Sequence, residues 1–131
     1  MNRDLKTFRL IRVPGDGDCL YHALVLGLTR AKRGAAVDPL TTSRARERVA
    51  ERLREQYGPD SKHARRASTH GRWAQNEEVA AAAHVFGVCI RVWEGANRMW
   101  ITFGNDKHPR IYLHNARNVH FDLLVPAVTR R

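Results

Sequence analysis

The chain has 131 residues, of which 43% are hydrophobic and 27% are charged. This length suits one ordinary domain around a single apolar core, so we predict one domain over residues 1–131. The balanced composition, without repeats or low-complexity tracts, excludes the fibrous and disordered classes. The apolar runs are short and no basic leader precedes one. The sequence therefore predicts neither a signal peptide nor a membrane span, and favours a soluble, cytoplasmic protein.

The net charge of +10 suggests nucleic-acid binding, because basic surfaces attract phosphates. Much of this charge lies in residues 43–56, where Arg44, Arg48 and Arg52 each precede a Glu by three residues. That spacing is typical of a solvent-exposed helix face. Nucleic acid is therefore a disfavoured partner.

The chain contains two cysteines, Cys19 and Cys89, and no CxxC pair. No His pair has zinc-finger spacing, so we predict neither a disulfide framework nor a metal site. Free thiols fit a reducing compartment. Cys89 lies between Val88 and Ile90 and is expected to be a packed thiol.

The first half of the chain predicts a strand and two helices. Alternating apolar and basic residues indicate a strand over residues 8–13, which a proline ends before a Gly-rich loop at 15–18. Helical spacing of Leu and Ala predicts one helix over residues 19–29, and an apolar stripe predicts another over 41–57. A basic, turn-like stretch at 31–39 joins them.

The second half predicts one helix followed by strands. Residues 60–71 lack apolar periodicity and are interpreted as an exposed connection. A helix over residues 73–86 ends at Gly87, which suits a left-handed C-terminal cap. Four runs of alternating apolar residues predict strands at 88–93, 99–103, 111–113 and 120–125. The whole is an α+β domain in which a small, mostly antiparallel sheet packs between helices.

Cys19 is a candidate nucleophile because it starts the first predicted helix. A helix N-terminus carries partial positive charge, which lowers the pKa of a nearby thiol. Gly15 and Gly17 precede it and can leave backbone N–H groups uncovered, ready to donate to a developing oxyanion. An ordinary turn followed by a structural cysteine also fits these residues, so a second element must decide.

Two other interpretations of the loop fail on its residues. A dinucleotide-binding fingerprint needs a small residue where Leu20 stands. A calcium loop that starts at Asp16 needs an oxygen ligand at Leu20 and a carboxylate at Gly27. Neither position supplies one.

The second element is the segment His120-Phe121-Asp122 on the last predicted strand. Residues two apart on a strand point to the same face, so Asp122 can lie beside the imidazole, orient it and fix its tautomer. Such a pair by itself is usually structural. Its pairing with Cys19 predicts a thiol nucleophile with a His base.

Four separated blocks of this sequence resemble, in order, the ovarian tumour (OTU) family of deubiquitinases. They comprise residues 15–23 (Gly-Asp-Gly-Asp-Cys-Leu-Tyr-His-Ala), Trp73 with Glu77-Glu78 and the Ala-rich helix, residues 87–92, and residues 111–113 with 120–124. The resemblance spans about residues 8–125 and implies a papain-like OTU fold.

The resemblance implies a thiol protease that hydrolyses the isopeptide bond after the C-terminal Gly-Gly of ubiquitin, or of a ubiquitin-like modifier. The reaction passes through a thioester acyl-enzyme and uses no metal or cofactor. By position, Cys19 is the nucleophile, His120 the base and Asp122 its orienting partner. Asp16 is either a loop organiser or an alternative third member of the triad. Backbone N–H groups of Asp16, Gly17 or Cys19 form the oxyanion hole.

One position departs from the family pattern, which has Asn before the nucleophile where this chain has Asp18. A carboxylate there can raise the thiol pKa or change the loop. A catalytically inactive OTU-like module that binds ubiquitin is thus an alternative, and a basic nucleic-acid-binding domain is a weaker one.

The chain is short for this family and resembles the compact OTU domains of viral polyproteins and some microbial proteins. We therefore expect a viral or effector protein that acts in the host cytoplasm. It is expected to be a monomer that binds ubiquitin or a ubiquitin-like modifier and no membrane.

Overall fold

In the computed structural model, residues 5–31, 40–116 and 120–127 are described, so most of the turn predicted at 31–39 lies outside these ranges. A 3-10 turn, Leu5–Thr7, opens the described chain. The helices and strands that follow are β1 (Phe8–Ile11), α1 (Cys19–Ala31), α2 (Thr42–Tyr57), α3 (Lys62–Ser68), α4 (Asn76–Phe86), β2 (Cys89–Glu94), β3 (Met99–Phe103), β4 (Arg110–Ala116) and β5 (His120–Pro126). The predicted α+β class is confirmed.

The five strands form one sheet in the order β1-β5-β4-β2-β3. The β1–β5, β5–β4 and β2–β3 pairs are antiparallel, whereas β2 and β4 run parallel. The sheet is therefore mostly antiparallel, as predicted. Because β5 inserts between β1 and β4, the last strand lies beside the segment that leads into α1.

In the described part of the chain, the helices pack on one face of the sheet, whereas the sequence predicted helices on both sides of it. A Cβ atom on Gly27 of α1 would lie only 2.9 Å from Ile111, which shows how closely α1 approaches β4. α4 contacts β2 and β3, and α2 packs across α1 and α4. Within the described residues, no helix has the length and apolar character of a membrane span.

The opposite face of the sheet is covered by aromatic side chains that pack on one another rather than by helices. The ring of Trp100 lies 5.4 Å from that of Trp93 and 5.5 Å from that of Phe8. Tyr112 contacts both Phe8 and Trp100. Two of the three tryptophans, Trp93 and Trp100, therefore lie on this face of the sheet.

The connection interpreted as exposed contains α3, whose Ala64 and Ala67 are buried. α3 is also joined to α4 by a buried ion pair, in which Arg66 binds the carboxylate of Glu78. The same carboxylate accepts from the backbone N–H of Gln75 and caps α4. The helix predicted from residue 73 therefore begins at Asn76.

Candidate active site

Cys19 is the first residue of α1 and is completely buried, at 0% exposure. Its Sγ accepts a hydrogen bond from the backbone N–H of Phe121 at 3.3 Å. This contact joins the start of α1 to β5 across most of the sequence. It brings the thiol to the two residues that flank Phe121.

Those residues, His120 and Asp122, contact each other on the sheet face opposite Phe121. The Nε2 of His120 lies 2.8 Å from Oδ1 of Asp122. The same oxygen accepts from the backbone N–H of Val13 at 2.9 Å, so Asp122, at 6% exposure, is held from two sides. Since the carboxylate takes Nε2, Nδ1 is the imidazole nitrogen available to the thiol.

Asp16 organises the loop that precedes α1. Its backbone oxygen accepts from the N–H of Cys19 at 3.2 Å, and its carboxylate accepts from the N–H of Asp18 at 2.9 Å. Nε2 of His22, on the next turn of α1, lies 3.4 Å from the same carboxylate. In the described residues Asp16 makes no hydrogen bond to His120, so its geometry is that of a loop organiser.

Two of the three backbone N–H groups expected in an oxyanion hole have no acceptor in the described part of the chain: those of Asp16 and Gly17. Gly17 is a buried residue, and buried N–H groups are nearly always bonded. A Cβ atom on Gly17 would lie 1.7 Å from the oxygen of Gly71, so no side chain fits there. The N–H of Cys19, in contrast, bonds to Asp16 in the resting state.

Burial raises the pKa of the Cys19 thiol above its usual value, and the carboxylates of Asp16 and Asp122 act in the same direction. The backbone N–H groups of Phe121 and of Leu20, the second residue of α1, act in the opposite direction. The start of the helix thus lowers the pKa as expected, but the loss of hydration on burial outweighs this effect. The raised pKa favours the protonated thiol, so attack by the sulfur needs a base to accept the proton.

Asp18, the residue that departs from the family pattern, is an ion-pair partner. Its Oδ1 accepts from Nε of Arg46 at 2.9 Å and from the N–H of Gly71 at 3.2 Å. Burial disfavours the ionised form, but the Gly71 hydrogen bond and the Arg46 charge outweigh it and lower the pKa of Asp18. The carboxylate beside the nucleophile is thus compensated.

The lowered pKa of Asp18 predicts an acid-sensitive contribution to stability. A carboxylate with a depressed folded-state pKa stabilises the fold above its unfolded pKa, and this contribution is lost as the pH falls through the folded value. We therefore expect thermal unfolding midpoints of the wild type to fall more steeply below about pH 4 than those of Asp18→Asn. The exposed carboxylate of Glu47 provides the control, since Glu47→Gln should keep the wild-type slope. Equal slopes for wild type and Asp18→Asn would contradict the prediction.

A groove of ≈ 300 Å³ opens beside Phe121, the residue that bonds the thiol. It is lined by Ala74, Gln75, Asn76, Glu77, Asn115 and Phe121. Asn115 is 5% exposed, and its Oδ1 has no hydrogen-bond partner in the described structure. The groove therefore carries amide and carboxylate groups beside Phe121.

Three contributors to this site were not predicted from the sequence: Arg46 and the backbone N–H groups of Phe121 and Val13. Of these, Arg46 alone has a sequence pattern that indicates burial, because it lies three residues before Val49 on the apolar side of α2. Cys89 is buried on β2, where burial raises its pKa, as fits a packed thiol. The described residues contain no group of three or more acidic, His or Cys side chains suited to a metal ion.

Comparison with known proteins identifies the family. A family model of OTU-like cysteine proteases matches residues 14–121. No curated protein sequence matches the chain.

Among solved structures, the viral OTU domain protease from Taggert virus has a TM-score of 0.68 at 21% identity, covering 95% of this chain and 83% of that one. The Hazara virus OTU bound to ubiquitin has a TM-score of 0.65 at 22% identity, covering 93% and 83%. An OTU deubiquitinase from Wolbachia pipientis wMel bound to ubiquitin has a TM-score of 0.66 at 13% identity, covering 92% and 97%. These likenesses show a shared fold, and with the family match they establish that the chain belongs to the OTU-like cysteine proteases.

Proposed function

We propose that this protein is a deubiquitinase that hydrolyses the isopeptide bond after the C-terminal Gly-Gly of ubiquitin or a ubiquitin-like modifier. The observation that carries the proposal is the position of Cys19. Its Sγ accepts a hydrogen bond from the backbone N–H of Phe121, the residue between His120 and Asp122 in the sequence, and the side chains of these two residues are hydrogen-bonded to each other. Three of the structures with a similar fold are bound to ubiquitin, which supports the choice of modifier.

The first chemical step is attack by Cys19 on the carbonyl carbon of the terminal glycine. Nδ1 of His120 takes the thiol proton as the S–C bond forms, and Asp122 stabilises the resulting imidazolium. This transfer is required because burial raises the thiol pKa. The C–N bond to the substrate lysine then breaks, and His120 returns the proton to the departing amine.

The developing oxyanion needs donors, and the N–H groups of Asp16 and Gly17 are available for it. Water then attacks the thioester carbonyl with His120 again acting as base. The S–C bond breaks, which releases the modifier carboxylate and restores the thiol. The proposed reaction uses the thiol, the imidazole and water, and no cofactor.

The groove beside Phe121 supports an extended substrate segment at this position. Its polar lining suits main-chain amides, which carry both donors and acceptors. Asp18 does not favour the alternative of an inactive module, because Arg46 compensates its charge. We further propose that the protein acts as a monomer in the cytoplasm of a host cell, in line with the viral and bacterial origin of similar structures.

The proposal is tested with ubiquitin that carries a thiol-reactive group at its C-terminus. Wild type should gain one ubiquitin mass, Cys19→Ala should gain none, and Cys89→Ala should react like wild type. A folded wild-type protein that reacts with neither ubiquitin nor ubiquitin-like probes would overturn the proposed activity. Labelling that persists in Cys19→Ala would overturn the assigned nucleophile.

A further inference from the structure

Arg46 is an arginine of α2 with 2% exposure, and each of its five N–H donors meets an acceptor. Nε donates to Asp18 at 2.9 Å. The two Nη1 donors bind the backbone oxygens of Arg66 and Ala67, both at 3.1 Å. The two Nη2 donors bind the backbone oxygens of Gly17 at 3.0 Å and Arg72 at 2.6 Å.

These acceptors belong to three segments that share no strand or helix: the loop before Cys19, the end of α3, and the connection before α4. A fully bonded buried guanidinium holds such segments in one relative position, because moving any of them leaves a donor unpaired. The packing is tight where two of them cross, since Gly17 lies against Gly71 without room for a Cβ atom. Arg46 therefore fixes the loop to the body of the protein.

The peptide unit between Gly17 and Asp18 is held at both of its ends. Its carbonyl oxygen accepts from Arg46, and its N–H donates to the carboxylate of Asp16. A peptide plane bonded at both ends is restrained, so only the φ and ψ torsions of Gly17 separate this fixed plane from the Gly17 N–H. That N–H has no acceptor in the described structure.

Arg46 also acts on charge. Asp18 directly precedes Cys19, and a bare carboxylate there would oppose both the thiolate and an oxyanion. The guanidinium lies 2.9 Å from that carboxylate and is itself shielded from water. The same side chain, that of Arg46, thus both holds the Gly17 carbonyl in place and compensates the charge of Asp18.

We propose that Arg46 is the positioning residue of the loop before Cys19, residues 15–18. It holds the loop through the carbonyl oxygen of Gly17 and neutralises the carboxylate of Asp18. The inference rests on the proposed function, and it assigns Arg46 no contact with substrate. This role explains how an active enzyme can have Asp18 next to its nucleophile, because Asp18 is the counterion of Arg46.

The test combines kinetics with alkylation of Cys19 by iodoacetamide across pH, read from the mass of the peptide that contains Cys19. In Arg46→Gln, kcat on a ubiquitin C-terminal fluorogenic amide should fall about 100-fold at unchanged KM, since a misplaced oxyanion donor weakens only the transition state. The alkylation midpoint should rise by about one pH unit, because Asp18 loses its counterion. Adding Asp18→Asn should restore the midpoint and leave kcat low.

Arg66→Lys is the matched control, since Arg66 is a second buried arginine whose side chain binds Glu78 and not the loop. It should lower the thermal midpoint of unfolding and leave the alkylation midpoint unchanged. If Arg46→Gln does not fold, Arg46→Lys decides through kcat, because it keeps the charge without the five-donor geometry. Wild-type kcat and alkylation midpoint in a folded Arg46 variant would overturn the proposal. Alkylation needs no modifier, so this outcome is distinct from failure of the wild type to react with ubiquitin.

Discussion

His120→Ala is expected to lower kcat/KM for a ubiquitin C-terminal fluorogenic amide by about 10³-fold, the usual contribution of a positioned general base. The expected loss is large because the Cys19 thiol is buried and its pKa is raised, so little thiolate forms without a proton acceptor. The measurement is steady-state hydrolysis near neutral pH, with folding checked by thermal unfolding. Raising the pH should recover part of the lost rate, since hydroxide then ionises the thiol.

His84→Ala is the matched control for this variant. His84 is an exposed histidine on α4, so its replacement should leave kcat/KM unchanged. If His120→Ala retained more than a tenth of the wild-type value, another group would have to accept the thiol proton. His120 would then not be the base.

Glu78→Gln is expected to cause the largest loss of stability, about 3–5 kcal/mol in the free energy of unfolding. Glu78 is 0% exposed, and its carboxylate binds the Arg66 guanidinium through two donors and caps α4 through Gln75. The neutral amide leaves a buried guanidinium without its counterion. Urea denaturation followed by circular dichroism measures the change.

The exposed pair of Arg44 and Glu47 on α2 provides the comparison. Glu47→Gln should change the free energy of unfolding by less than about 1 kcal/mol, because solvent screens an exposed ion pair. A loss below about 1 kcal/mol for Glu78→Gln would contradict the prediction. It would mean that Glu77, 3.4 Å from Arg66, can replace Glu78 as the counterion.

Local patterns in the sequence predicted much of the fold, because the periodicity of apolar residues and the identity of helix-capping residues depend only on neighbouring positions. Gly87 ends α4 in the left-handed conformation as expected, with φ 63°, and β3 has the predicted bounds. The pairing of His120 with Asp122 followed from the two-residue repeat of a strand. The contact of both with the Cys19 region required the family resemblance, since no local pattern links residues so far apart.

The features that sequence patterns could not supply depend on contacts between distant segments. Arg46 lies towards the apolar side of an arginine-rich helix, but the sequence does not reveal its acceptors, which come from the loop before α1 and from segments that follow α2. α3 lacked periodicity because its buried partner is the carboxylate of Glu78, which is on another helix. The parallel pairing of β2 with β4 is likewise non-local, and a hairpin pattern does not reveal it.

The bond from the backbone N–H of Val13 to Asp122 spans 109 residues, and that from Phe121 to the Cys19 sulfur spans 102. Both contacts require β5 to be inserted between β1 and β4. During synthesis, the ribosome makes Cys19 early and His120 more than a hundred residues later. Under the proposed mechanism, a nascent chain carries an inert thiol until β5 has emerged and docked, and the proposed activity arises only with completion of the fold.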